Sequence, residues 1–247
     1  MTPSAPEKYG TFAARLGGGL LVAMEELPRS PRRGIISALT VGADGAVSEP
    51  RPVITEAHHL SYPCLVERGG ELFCIPEAAE SGRVTAYAVG GAGGAWPEAG
   101  RLIEGRLLDP TVFRHEGRWW MFACTRSGPT EARLMAFHAD DLFGPWTPHA
   151  LNPLKSDIRS SRPAGPLFEH GGSLYRPAQD CSRTYGGSVR LMRVERLSPS
   201  EFREVEASHL HPGPSWALPH GLHTVGCVGD VVVLDAKRRY LSPRLWP

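Results

Sequence analysis

Two of the carboxylates that stand beside prolines in this chain of 247 residues lie at the ends of apolar strand-like runs, Asp109 and Glu77. Asp109 precedes Pro110, and a proline confines the residue before it to extended conformations. Glu77 follows Pro76 at the end of the apolar run FCIPE. Two carboxylates across a shared space can act as general acid and base on a glycosidic bond, at separations of roughly 6.5 to 9.5 Å in the inverting case. Each also has a plainer reading: Asp-Pro can simply cap a turn at the start of a strand, and Glu77 can lie exposed on a rim.

Groups suited to holding hydroxyls follow further along the chain. The run KSDIRSSRPAG offers Arg162, whose guanidinium can fork onto a carboxylate or phosphate, while Lys155 and Arg159 read as parts of a solvated loop. RPAQDCSRTYGG brings together Arg176, Gln179, Asp180 and Tyr185, or else forms a wide turn in which Asp180 bonds its own backbone. PHGLHT sets His220 and His223 three apart, and with no third ligand at a recognisable spacing no metal is expected. Both histidines read as pocket contacts or as buried, hydrogen-bonded groups. Trp119 and Trp120 point to opposite faces of a strand, so one is expected in the core, and stacking on a ligand falls to the other or to Tyr62. No GxSxG, P-loop or GxGxxG in a βαβ setting occurs, and no cofactor is expected. The expected catalytic pair is Asp109 and Glu77. The expected substrate-binding set is Tyr62, Arg162, Arg176, Gln179, Asp180, His220, His223 and Lys237.

What positions these residues is a repeated unit. LDPTVFRHEGRWWMFAC, around Gly117, reads as a strand, a polar turn and an aromatic strand. The same hairpin returns around Gly70, Gly172, Gly18 and, more faintly, Gly229, in steps of 52, 47, 55 and 57 residues. Repeats of about 40 to 50 residues with several strands each are the signature of a β-propeller, whose blades surround a central channel. Five hairpins predict an all-β, five-bladed propeller in a single domain spanning 1–247, with blades near 10–57, 58–106, 107–158, 159–215 and 216–247. Counting eight residues back from each turn glycine places Gly10, Tyr62, Asp109, Ala164 and Gly221 at one channel-facing position. The strand ends across from them carry Glu25, Glu77, Cys124, Gln179 and Ala236.

Taken in order, IISALTV, GRVTAYAV and YGGSVRLMRVERL supply third strands, and RPVITE, RLIEG and FREVEASHL supply outer ones. Pro52 is tolerable because edge strands need not donate on both sides. The last blade has its hairpin and little else, so the N-terminal residues complete it or it stays short. No helix of normal length is needed.

Composition narrows the partner. A net charge of +1 leaves no nucleic-acid footprint, and a neutral surface such as a glycan suits it better. The 28 glycines and 23 prolines fit a fold made of many tight turns. Five cysteines without a CxxC pair read as small core residues of a reducing compartment. The first residues lack the apolar core of a signal peptide, and no run of about 18 apolar residues occurs, so a cytoplasmic protein without a membrane span is expected.

HLSYPCLVERGGELFCIPEAAESGRV, LDPTVFRHEGRWWMFAC, LFGPWTPHALNPLKSDIRSSRPAGPLF, LYRPAQDCSRTYGG and PHGLHT together resemble the propeller domain at the N-terminus of glucosamine inositolphosphorylceramide transferases. That domain is in turn similar to the five-bladed propellers of glycoside hydrolase family 43. The resemblance covers about residues 10 to 238 and implies a protein that handles carbohydrate in glycan biosynthesis or processing. In the hydrolase propellers one Asp at the start of the first blade is the base, a second Asp tunes pKa and a Glu is the acid. Here the first blade starts Tyr9-Gly10-Thr11-Phe12, without that carboxylate. Two expectations result: a glycosidase-like or glycosyl-transfer enzyme, or a non-catalytic glycan-binding module working beside a separate glycosyltransferase.

Overall fold

The computed structural model describes residues 7–126 and 132–237. The first sheet is antiparallel and takes β1 (Glu7–Leu16), β2 (Gly19–Leu27), β3 (Ile35–Val41) and β4 (Arg51–Ile54) in chain order. The second repeats this order with β5 (Ser61–Arg68), β6 (Glu71–Glu77), β7 (Arg83–Ala88) and β8 (Glu98–Glu104). The third has β9 (Leu108–His115), β10 (Arg118–Arg126) and β11 (Ala132–Ala139), with the short β12 (Thr147–Pro148) and β13 (Lys155–Ser156) both on β11. The fourth has β14 (Phe168–His170), β15 (Ser173–Asp180), β16 (Ser188–Leu197) and β17 (Phe202–Leu210). A last sheet holds only β18 (Gly221–Val228) and β19 (Val231–Lys237). One turn of 3-10 helix, Ala79–Ser81, is the only helix among the described residues.

The protein is an all-β propeller, but the expectation of five blades is corrected. Four sheets are full blades, and the fifth hairpin carries no outer strands among the described residues. In each full blade the outer strands come from the chain after the hairpin, and no described residue follows Lys237. Nor does the N-terminal strand complete it, because β1 pairs with β2. The hairpin packs against β1 on one side and against β15 and β16 on the other.

The repeat was visible in sequence because its turns demand glycine. Gly17-Gly18, Gly69-Gly70, Glu116-Gly117 and Gly171-Gly172 are two-residue turns with positive φ at both positions, the geometry whose twist matches that of the flanking strands. Glu116, at φ +48°, is the one non-glycine among these eight. In the fifth hairpin the turn is Gly229-Asp230, and only its first residue has positive φ.

Stacked blades cover both faces of a sheet, which alters the expected alternation. Trp119 and Trp120 point to opposite faces and are both buried, because each face of β10 meets a packed layer. One core lies between the second and third blades, around Cys64, Ile75, Val112 and Met121. Cys64, Cys74 and Cys124 are wholly buried there and nearby, and all five cysteines are free thiols.

Candidate functional site

The register between the first two strands slips near the propeller axis in four of the five sheets. The shifts fall between Tyr9 and Thr11, between Ser61 and Cys64, between Phe122 and Cys124 opposite Leu108 to Thr111, and between Leu222 and Thr224. Such bulges set extra residues against one partner and re-aim a side chain. The residues released are Gly10, Tyr62-Pro63, Asp109-Pro110 and His223. In the fourth sheet the same place is Arg162-Pro163, where Pro163 bridges Ala178 and the Arg162 carbonyl accepts the Gln179 amide proton at 2.8 Å. Proline lacks an N–H and fits where the ladder has already been broken.

The channel-facing set therefore differs from the eight-residue count in two blades, with Arg162 in place of Ala164 and His223 in place of Gly221. In the fourth blade Gly165, at φ +126°, interrupts the chain ahead of the three-residue β14. In the fifth the turn glycine sits one position earlier in its turn. The backbone at Asp109 also departs from expectation. Tyr62 and Asp109 have φ of +48° and +50° rather than extended values, because the bulge turns each of them left-handed. Such conformations cost about 1 to 3 kcal/mol each and persist only when surrounding bonds fix them. Tyr62 is fixed by its hydroxyl, which pairs with Thr111 Oγ1 at 2.8 Å and accepts the Gly165 amide proton at 2.8 Å.

Every sheet brings a polar side chain to one cavity of about 510 Å³. Glu25 comes from β2, Tyr62 and Glu77 from the second blade, Asp109 from β9, Arg162 and Tyr185 from the fourth blade, and His223 from β18. Asp109 is buried and its carboxylate is forked by Arg162, through Nε to Oδ2 and through Nη2 to Oδ1 at 3.2 Å. Its own amide proton goes to Glu77 Oε2 at 3.0 Å. Burial, and then the charge of Asp109, push the Glu77 carboxyl up to about 8, against the opposing pull of Arg162. Burial likewise raises Glu25 to about 7, helped by Asp109 and Asp235 and opposed by His223 and Arg162. His59 accepts the Gly34 amide proton on Nδ1 (2.9 Å), so its Nε2–H faces Glu25 Oε1 at 3.4 Å. A second cavity of about 440 Å³ shares Glu77 and His59 and runs on to Glu80, Arg106 and Thr125.

Of the expected site residues, Asp109, Glu77, Tyr62, Arg162 and His223 meet in the cavity. Arg176 does not line it: its guanidinium is buried against Glu204 (2.7 and 2.8 Å) and the Ser160 carbonyl. Gln179 is buried and donates to the Pro163 carbonyl at 2.9 Å. Asp180 is tied to Arg190 and Ser182 in the same blade. His220 is exposed at the start of β18, and Lys237 donates to the Tyr185 carbonyl. Glu25, His59 and Tyr185 were not in the expected set. Glu25 carried a usable signal, since it pairs with Tyr9 at the strand end just as Glu77 pairs with Ser61.

Residues 34–213 match the family described as glucosamine inositolphosphorylceramide transferase 1, N-terminal. The chain belongs to this family. It is 33% identical over 180 residues to the glucosamine inositolphosphorylceramide transferase 1 of Arabidopsis thaliana, covering 70% of this chain and 24% of that one. With the protein of the same name from Oryza sativa subsp. japonica it is 36% identical over 157 residues, 62% of this chain and 21% of the other. The chain thus spans under a quarter of the length of these relatives. Its fold is similar to Zg3597, a family 117 glycoside hydrolase of Zobellia galactanivorans, with a TM-score of 0.61 at 13% identity over 85% of this chain and 70% of that one. It is also similar to Bacteroides ovatus xyloglucan PUL GH43B, with a TM-score of 0.63 at 15% identity over 81% and 42% of the two chains. The matched segment of the family includes Tyr62, Glu77, Asp109, Arg162 and Tyr185. It leaves Glu25 and His223 outside.

Proposed function

We propose that the axial cavity binds a carbohydrate and performs acid–base chemistry at a glycosidic bond, by hydrolysis or by transfer to an acceptor hydroxyl. The observation that carries this reading is the convergence of Glu25, Glu77, Asp109 and Arg162, from four sheets, on one cavity. Glu77 is the proton donor in this reading, a carboxylic acid raised to about 8 by burial beside a carboxylate that an arginine forks. Asp109 is a positioning residue that works through Glu77 and Arg162, since Arg162 occupies both of its oxygens. Glu77 stands where the two cavities meet, which suits a ligand of at least two sugar units with the reacting bond over that carboxyl. The β18–β19 hairpin, packed between β1 and the strands β15 and β16, brings His223 to the same cavity.

A second reading, a glycan-binding module beside a glycosyltransferase partner, is favoured by Gly10, which leaves the first blade without a carboxylate at its bulge. The length of the family's curated members beyond the matched region gives such a partner a place. The test is mass spectrometry on a mixed pool of bacterial glycans incubated with the protein and with its Glu77→Gln variant. Shorter or extended products formed by the wild type and absent with the variant support the enzyme. Intact glycans retained equally by both proteins, with no product from either, support the module.

A further inference from the structure

The fifth hairpin carries a chemical unit that the role of Glu77 does not use. Asp235 Oδ1 accepts the amide protons of His223 (3.1 Å) and Thr224 (2.5 Å) at the bulge, while Oδ2 lies 3.1 Å from His223 Nδ1. A carboxylate can only accept, so it selects the tautomer with a proton on Nδ1 and leaves Nε2 as an acceptor. Tyr185 Oη lies 2.6 Å from Nε2, so the phenol donates to the imidazole. Tyr185 comes from the turn between β15 and β16, lines the axial cavity and is 52% exposed. Desolvation by the cavity walls holds the Tyr185 phenol well above its ordinary range, and the Arg162 guanidinium, 4.9 Å from the centre of its ring, pulls the other way, so ionisation of the phenol depends on a base that takes its proton. Carboxylate, imidazole and hydroxyl in this order are the arrangement in which a base activates a nucleophile.

Among the described residues the carboxyl groups of the cavity are engaged otherwise. Both oxygens of Asp109 are held by Arg162, and the Glu25 carboxyl, raised by burial, faces His59 Nε2 at 3.4 Å. We propose that Asp235, His223 and Tyr185 form a relay that makes Tyr185 Oη the nucleophile of this cavity, acting on the anomeric carbon of a glycoside. The proposal rests on the reading of Glu77 as proton donor. In the first step the Tyr185 oxygen bonds to the anomeric carbon and its proton passes to His223 Nε2. The glycosidic bond breaks, and the leaving alcohol takes the Glu77 proton. In the second step water or an acceptor hydroxyl attacks the same carbon and gives its proton to Glu77. The bond to Tyr185 breaks, and the phenol regains its proton from His223.

An aryl sulfonyl fluoride tests the relay without a sugar, since attack by an activated phenol forms an oxygen–sulfur bond and expels fluoride. The probe is 4-acetamidobenzenesulfonyl fluoride, and intact mass with peptide mapping reads which tyrosine is labelled and how fast. The expected result is labelling of Tyr185 well ahead of Tyr87 and Tyr175. In His223→Ala the rate falls by about 100-fold, and added imidazole restores part of it, which a merely structural role for His223 would not allow. Asp235→Asn also slows labelling, and Tyr185→Phe removes it while melting at the wild-type temperature. Labelling of Tyr185 no faster than the other tyrosines, or a rate unchanged in His223→Ala, overturns the relay. The two proposals fail separately. A reactive Tyr185 without glycan products keeps the relay and sinks the glycosidic reading, whereas glycan products formed with an unreactive Tyr185 sink the relay alone.

Discussion

Replacing Glu77 with Gln should stabilise the protein at alkaline pH and leave it nearly unchanged in mild acid. The reason is the gap between a carboxyl pushed up to about 8 in the cavity and an ordinary value of 4.5. A group whose folded value is raised binds more protons folded than unfolded between those two limits, so stability falls as pH climbs from about 4.5 through about 8. Each pKa unit corresponds to about 1.4 kcal/mol, which sets an upper limit of about 5 kcal/mol for the whole interval. The pull of Arg162 and of the Asp109 amide is already contained in that value, but the site relaxes around a new charge, so about 2 kcal/mol is the expected loss. Gln mimics the neutral acid and its carbonyl can still accept the Asp109 amide proton. Urea unfolding of both proteins at pH 5, 7 and 9 measures the effect. Curves that coincide at pH 5, and a variant more stable by about 2 kcal/mol at pH 9, support the reasoning. A difference that stays flat from pH 5 to 9, or a variant weaker at pH 9, would show that Glu77 is ionised at neutrality and would remove the proton donor from the proposed mechanism.

Three further outcomes rest on single contacts. Glu116→Gly should raise stability by about 1 kcal/mol in thermal or urea unfolding, because Glu116 holds a left-handed φ of +48° at a place where three sister turns carry glycine. Tyr62→Phe should destabilise by about 2 kcal/mol, since it leaves the buried Gly165 amide proton without its acceptor and keeps the strained backbone at residue 62. Glu204→Gln should cost about 3 kcal/mol by leaving Arg176 buried without its carboxylate, while glycan retention measured on folded protein stays at the wild-type level because neither residue lines the cavity.

The fold was legible where local chemistry has few solutions. A two-residue turn with positive φ at both positions selects glycine, so paired glycines at 17, 69 and 171 marked the hairpins before any contact was known. IISALTV coincides with β3, and FREVEASHL with β17. The site was legible only in part, because counting residues from the turns assumes that every blade is bulged alike. That assumption held for Tyr62 and Asp109 and failed for Arg162 and His223, whose hairpins have an interrupted first strand and a different turn. Arg176 and Asp180 looked like ligand contacts because their partners are remote in sequence or across a strand. Glu204 lies 28 residues beyond Arg176 on the outer strand of the blade, and nothing in RPAQD announces it. Tyr185 was visible only as one residue of a polar turn, since its placement depends on His223, which lies 38 residues further on.

The Asp109–Arg162 pair argues for a cavity built around charge rather than around stability. Replacing a buried ion pair by well-packed apolar side chains is often neutral or stabilising, and this pair also keeps Asp109 in a backbone conformation that carries strain. What it supplies instead is electrostatic control over two neighbours. Asp109 pushes the carboxyls of Glu77 and Glu25 up, and Arg162 pulls both down. Burial alone acts on both in the same direction. Burial is the largest influence on both, the pair's two charges oppose each other on top of it, and the two carboxyls come to rest near neutrality, within reach of both proton loss and proton gain. The same guanidinium stands over the Tyr185 ring. One arginine ahead of the first strand of the fourth blade thus bears on two raised carboxyls and a phenol at once, which ties the strained backbone at Asp109 to the electrostatics of the whole cavity.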